Sequence, residues 1–267
     1  VEDVIDQRVG WLSRIIAIFV FAFLLAPLAV IILASFSPTP LVMFPPRGFS
    51  LVWYRNIFSS STNFVSGFVN SVAVSTLATA IDVILGVTAA LSVSRHRFKG
   101  KELVVSFFTS PMYVPSITFA FVLLQVFSQF GSVPGMLKIL VGHLIIIMPY
   151  IVHNTLSVLS SYNWTLENAA ASLGAGPVTV FTKITLPLIK PGVIAGAMLS
   201  FLYSFDEVVL SSLLCSPKFV TLPIRIMNYM EFSFDPTLAA ISTVLILLSL
   251  LLIVLLEKFV GLDMFLK

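Results

Sequence analysis

Charge is what this sequence has least of. Asp, Glu, Lys and Arg together make up 10% of its 267 residues, where a soluble globular protein carries about 25%. Hydrophobic residues supply 58%, and the mean hydropathy is +1.06. Too little polar surface is left to clothe a soluble fold, which excludes a disordered chain, a collagen-like chain and a water-soluble enzyme. Cysteine is nearly absent as well. Cys215 stands alone, so no intrachain disulfide can form and no redox compartment follows. No Gly-x-x-x-x-Gly-Lys-[Ser/Thr] segment occurs, so the chain has no P-loop with which to bind ATP. Metal-ligand spacing is missing too. His96 belongs to a basic loop, while His143 and His153 lie ten apart and about 80° out of line on one helix. Both read as satisfied polar residues inside a bundle. There is no Ser/His/Asp or Cys/His constellation, and no repeat of fixed period.

The apolar stretches are long and continuous, unlike the alternating segments of about 10 residues in outer-membrane strands. Six of them reach the ~20 residues that a helical span needs: 15–36, 70–93, 103–127, 139–159, 192–214 and 237–256. The expectation is an all-α, six-helix transmembrane bundle forming a single domain over 1–267. Pro27, Pro111, Pro115 and Pro149 fall inside spans and are expected as packing kinks, with a gating role open for Pro111 and Pro115. The first residues mix Glu2, Asp3 and Asp6 with Arg8 and Arg14. The apolar run after them, about 22 residues, is too long for a signal-peptide core, so a retained first span is expected.

The net charge of +3 belongs to loops and describes topology rather than nucleic-acid binding. With the N-terminus inside, Arg8, Arg14, Arg95, Arg97, Lys99, Lys101, Lys183, Lys190, Lys258 and Lys267 lie inside, and Arg47, Arg55, Lys138, Lys218 and Arg225 lie outside. The ten-to-five split and the dense cluster at 95–101 place both termini in the cytoplasm. Of the outer loops, 37–63 carries Pro38, Pro40, Pro45, Pro46 and Gly48 before Trp53 and Tyr54, and reads as an interfacial elbow. The last outer loop is 215–236.

The inner loop 160–191 has the most ordered pattern. Thr165 is placed as an N-cap, and Glu167 sits in the first helical turn, where a carboxylate suits the helix dipole. Leu166, Ala169, Ala170 and Leu173 share one face, and Gly174 is placed as the stop. A second helix starts at Pro177 and runs to about Ile184, where Leu186-Pro187 and Pro191 end it. On these residues alone, a docking element for another protein and an amphipathic linker resting on headgroups are both open.

This loop resembles the signature loop of ABC importer permeases: Glu-Ala-Ala, three residues, Gly, nine residues, Ile, one residue, Leu-Pro. Ala169, Ala170, Gly174, Ile184, Leu186 and Pro187 fall at that spacing, and Asn168 stands where the family has glutamate. Phe44-Pro-Pro-Arg-Gly-Phe49 with Trp53-Tyr54, Ser204-Phe-Asp-Glu-Val208 and Thr221-Leu-Pro223 resemble the spermidine/putrescine branch, and related permeases for opines, other amines and small organic ions share them. The resemblance implies a type I importer permease in the bacterial cytoplasmic membrane, whose loop helices couple it to an ATPase. It implies a second, different but homologous permease, two copies of the ATPase carrying ATP and Mg, an extracytoplasmic binding protein and surrounding lipid. No cofactor is expected on this chain.

Three carboxylates fall inside predicted spans: Asp82, Asp206 and Glu207. Each costs about 2.5–3.5 kcal/mol near a helix centre, so each is expected to face a cavity or find a partner. Asp206 and Glu207 differ by about 100° and cannot face one point squarely. Together with Asp82 and Tyr203 they are candidates for handling a cationic substrate, against a structural hydrogen-bond network. Tyr203, Tyr229 and Trp53 can add cation–π contact, with aromatic packing the simpler expectation. An ion-coupled secondary transporter using the three acids, and an intramembrane enzyme, are the rival classes. Neither inverted repeats nor a catalytic cluster is apparent.

Overall fold

The computed structural model describes residues 10–260 except 42, 43, 47 and 60. Glu2, Asp3, Asp6, Arg8, Arg47 and Lys267, used above for topology and the first outer loop, lie outside the described residues, as does the side chain of Lys258. In chain order the helices are α1 (Trp11–Ala34), α2 (Val52–Ile57), α3 (Phe64–Arg95), α4 (Lys101–Thr109), α5 (Ser116–Ser128), α6 (Gly135–Ser160), α7 (Thr165–Ser172), α8 (Pro177–Val180), α9 (Leu186–Phe205), α10 (Val209–Leu214), α11 (Leu222–Phe232) and α12 (Thr237–Val260). The fold is all-α. Five helices among the described residues are long and apolar enough to cross a membrane, and the bent pair made by Lys101–Tyr113 and α5 gives a sixth if it counts as one span.

The chain divides into two compact units, residues 1–64 with 226–267, and residues 65–225. In the first, α1 packs on α12 and α12 on α2. Pro27 lies within an unbroken α1, whose side chains, such as Phe19 and Phe23, point outward as a lipid-facing span requires. The predicted elbow before residue 64 contains α2, and both its aromatics are tied down. The Trp53 indole N–H donates to the Ser37 carbonyl at 2.7 Å, and the Tyr54 and Ser35 hydroxyls are 2.6 Å apart. Tyr229 packs against Phe64, ring centroids 5.2 Å apart, and donates to Asp235 at 2.9 Å. Trp53 and Tyr229 are therefore engaged in structure.

The second unit is built around α6 and α9. Ile147, Ile151 and Ile189 are fully buried there, with Leu210 and Leu214 from α10. Gly192 and Gly196 form a Gly-x-x-x-Gly step, the spacing that lets membrane helices approach closely. A Cβ at Gly192 would stand 2.6 Å from the Asn154 carbonyl oxygen, and one at Gly196 3.0 Å from Ile151 Cα and from the Tyr150 carbonyl oxygen.

Four predicted boundaries differ. The stretch 103–127 is not one kinked span. A 3₁₀ turn at Ser110–Tyr113 ends α4, Val114 is extended, and α5 leaves at 100°. Pro115 enforces this, because the residue before a proline is pushed out of the α region. The stretch 192–214 is also broken: α9 stops at Phe205 and α10 starts at Val209. Conversely, the helix begun at Pro177 does not end at Leu186-Pro187. It passes through a π turn at Phe181–Thr185 into α9, with Pro187 near the α9 start and Pro191 inside. A π turn changes the hydrogen-bond register, so the N–H that Pro187 lacks falls where the ladder is already shifting. Likewise 215–236 is not only loop, since α11 occupies its centre and the Leu222 N–H donates to Ser71 Oγ at 2.9 Å.

Gly196→Val is expected to cost about 1–3 kcal/mol through overpacking, read as a lower melting temperature of the purified protein. Gly176→Ala, where a Cβ meets nothing within 4 Å, serves as the neutral control.

Candidate functional site

The segment between α6 and α9 is organised by one acid. Glu167, in the first turn of α7, is 7% exposed. Arg95, the last residue of α3, donates from Nη2 to Glu167 Oε2. Tyr162 donates to Oε1 at 2.9 Å, and Thr185 in the π turn donates to the same oxygen at 2.6 Å. The Arg95 guanidinium also lies over the Trp164 ring, 5.3 Å from its centroid, in cation–π range. One carboxylate thus joins the end of α3, the turn after α6 and the entry to α9.

The local geometry of α7 follows from its ends. The expected N-cap, Thr165, is not the capping side chain. Asn163 Oδ1 accepts the Thr165 N–H at 3.0 Å, one residue pair earlier in the chain. At the other end Gly174 takes φ +87°. Its N–H bonds to the Ala171 carbonyl, and the Ala175 N–H bonds to the Ala170 carbonyl, both at 3.0 Å. That is a Schellman closure, which needs a residue free to adopt positive φ. With Glu167 turned inward, the opposite face is turned out. Leu166 is 46% exposed, Leu173 90%, and Ala169 is exposed beside a half-buried Ala170. Asn168 is exposed and edges a recess of about 380 Å³ between α3, α7 and the Pro177 helix, with Ser92, Arg95 and Phe181. Ile184 lies in the π turn, and Leu186 and Pro187 open α9. Asn168, which stands where the family has glutamate, carries no charge for an ion pair. The pair exists, one residue earlier, at Glu167.

A second group of residues surrounds the break between α9 and α10. Glu207 is 8% exposed and its Oε1 accepts the Leu210 N–H at 2.6 Å, satisfying a donor at the start of α10. His143 on α6 bridges the break: its Nδ1 is 2.6 Å from Ser204 Oγ and its Nε2 3.1 Å from Ser211 Oγ. His143 is the satisfied buried polar residue expected, whereas His153 is exposed and belongs to no buried network. Asp206 is exposed. Tyr203, 40% exposed, packs on Tyr150 with centroids 5.2 Å apart. The adjacent acids therefore do different work: Glu207 caps a helix, and Asp206 presents its charge. Asp82 is fully buried in α3 at a separate place.

Exchanging Glu167 for Ala, Arg95 for Ala, and both, forms a double-mutant cycle. The expected coupling is about 1 kcal/mol or more, measured by hydrogen exchange of the α7 amides, which open faster in each single variant.

The model of the family described as "Binding-protein-dependent transport system inner membrane component" matches residues 82–262. The spermidine/putrescine transport system permease protein PotC of Haemophilus influenzae is 33% identical over 88% of this chain and 91% of its own length. The putrescine transport system permease protein PotI of Escherichia coli is 30% identical over 85% and 82%. Among solved structures, a bacterial ABC transporter involved in the import of the acidic polysaccharide alginate aligns with a TM-score of 0.71 over 95% of this chain and 97% of that one, at 16% identity, which shows a shared fold. With these similarities joined to the membrane helices, this chain belongs to the inner membrane components of binding-protein-dependent transport systems, the permease family of ABC importers.

Proposed function

We propose that this permease carries linear polyamines of the spermidine and putrescine class across the cytoplasmic membrane, driven by an ATPase that docks on α7. The observation that carries the reading is the posture of α7: its apolar face points outward while Glu167 holds its other face to α3 and α9. An apolar face of Leu166, Ala169 and Leu173 needs a partner surface, and the small Ala169 lets that surface come close. The ATPase would bring ATP and Mg, and two copies would serve this chain and a second, homologous permease. A binding protein outside would deliver the substrate. The names of the PotC and PotI relatives support the polyamine class, and the basic cluster at 95–101 supports cytoplasmic termini.

The coupling is mechanical. A push on α7 is passed through one carboxylate to Arg95 and Thr185, so the inner ends of α3 and α9 move with it. The two states differ in which side of the pathway is open, and ATP binding favours one of them through contacts made only there. On the outer half, Asp206 offers an exposed carboxylate to an ammonium group, with Tyr203 nearby in sequence and exposed.

Leu173→Asp is expected to abolish co-purification of the ATPase subunits, because a charge then sits in the docking face. Asp206→Asn, in a complex that still assembles, is expected to lower polyamine uptake about tenfold, the scale of one lost charge contact. Undiminished uptake in Asp206→Asn would remove it from the pathway.

A further inference from the structure

Asp82 is a buried acid that neither group of residues above uses. It stands near the middle of the 32-residue α3 and is 0% exposed. Among the described residues neither of its carboxyl oxygens has a hydrogen-bond partner, and Ser75 Oγ and Thr79 Oγ1 share that condition. Residues 75, 79 and 82 fall within about 60° of one another around the helix, so these unpaired oxygens form one polar stripe. Asp82 is among the residues lining a cavity of about 380 Å³ at the 100° elbow between α4 and α5, with its carboxyl oxygens just beneath the wall. The other walls are apolar: Phe107, Phe108 and Phe119, with Pro111, Leu144 and Met148. Ser110 also lines it, but its hydroxyl already donates to the Phe107 carbonyl at 2.9 Å. No Lys, Arg or His is among the lining residues.

These walls select a ligand by chemistry. A carboxyl group in the bilayer calls for a cation or a donor. A hard metal ion needs six or more oxygen ligands, and one carboxylate with two hydroxyls falls short. A neutral acyl chain would match the rings and leave the acid unpaired. An alkylammonium group satisfies both: its head donates to the carboxylate, its methylenes lie on apolar wall, and the ring faces attract its charge. We propose that the elbow cavity is a binding station for one end of a linear diamine or polyamine, with Asp82 taking the ammonium and the phenylalanine rings enclosing its methylene chain. The station is distinct from Asp206, and its natural ligand rests on the amine-import reading above.

The test uses the assembled transporter in lipid nanodiscs and dicyclohexylcarbodiimide, which modifies carboxyl groups in apolar surroundings, with peptide mass as the readout. Asp82 is expected to be labelled, and putrescine or n-butylamine to slow that labelling about tenfold, the effect of saturating a site at roughly ten times its Kd, while 1,4-butanediol does not. In uptake assays Asp82→Asn is expected to lose about tenfold, and Asp82→Glu, which keeps the charge, to recover part of it. Labelling indifferent to amines overturns the station. So does an Asp82 that resists the reagent with and without amine, the outcome if a side chain of the neighbouring permease fills the cavity. Amine protection in a wild-type complex that imports no polyamine would instead keep the station and overturn the importer reading. The protection measurement needs no variant, so a misfolded Asp82→Asn does not affect it.

Discussion

The carboxylate of Glu167 is the contact on which the segment between α6 and α9 depends. Its side chain is 9% exposed while that of Arg95 is 53% exposed, so the pair is half in solvent and Coulomb attraction alone is screened. The hydroxyls of Tyr162 and Thr185 change the balance, because they satisfy Oε1 while Arg95 satisfies Oε2. A buried acid with every partner in place holds its segment firmly, and the same acid with one partner removed is an uncompensated charge. That asymmetry makes α7 a rigid attachment rather than a flexible linker. It also fixes rotation: with Glu167 inward, Leu166, Ala169 and Leu173 have to face out.

Irregular backbone in the second unit is concentrated where polar side chains can satisfy it. In a bilayer, freed N–H and C=O groups need partners from the protein or a lined cavity. At the break after Phe205, Glu207 accepts an N–H of α10 and His143 ties the hydroxyls on either side. At the π turn, Thr185 is recruited to Glu167. At the elbow after Thr109 the bend lies beside Asp82, whose oxygens have no protein partner among the described residues. The break after Phe205 is thus closed by a neighbouring carboxylate, the π turn is tied to α7 through Thr185, and the elbow borders the cavity lined by Asp82.

Hydropathy made the bundle legible, because a long apolar run has only one stable form in lipid. Helix α7 was legible too, since Leu166, Ala169, Ala170, Leu173 and Gly174 combine a face with a stop. The breaks were not. Residues 103–127 and 192–214 are apolar enough overall to read as single spans, and neither Pro115 after Val114 nor Asp206-Glu207 after Phe205 separates a kink from a full break by composition alone. Pro187 and Pro191 read as terminators because proline ends isolated helices, but the π turn before them shifts the register that they interrupt. The Arg95–Glu167 pair spans 72 positions, and no local pattern reports a contact at that distance.

Adjacent acids in a span look like a doubled negative charge, and the pair at 206 and 207 shows why counting them misleads. Two neighbours on a helix already point about 100° apart, and a break between helices separates their roles further. Glu207 lies on the buried side and accepts an N–H from α10, so its charge is directed at a helix start. Asp206 lies on the exposed side with no such obligation. The pathway proposed above is therefore offered one carboxylate where the sequence has two, and Glu207 holds the start of α10 beside it. A substrate bearing several ammonium groups needs more than one anionic contact along its route. Asp82 stands near the middle of α3 with its oxygens unpaired among the described residues, and the proposed elbow station would make it the next.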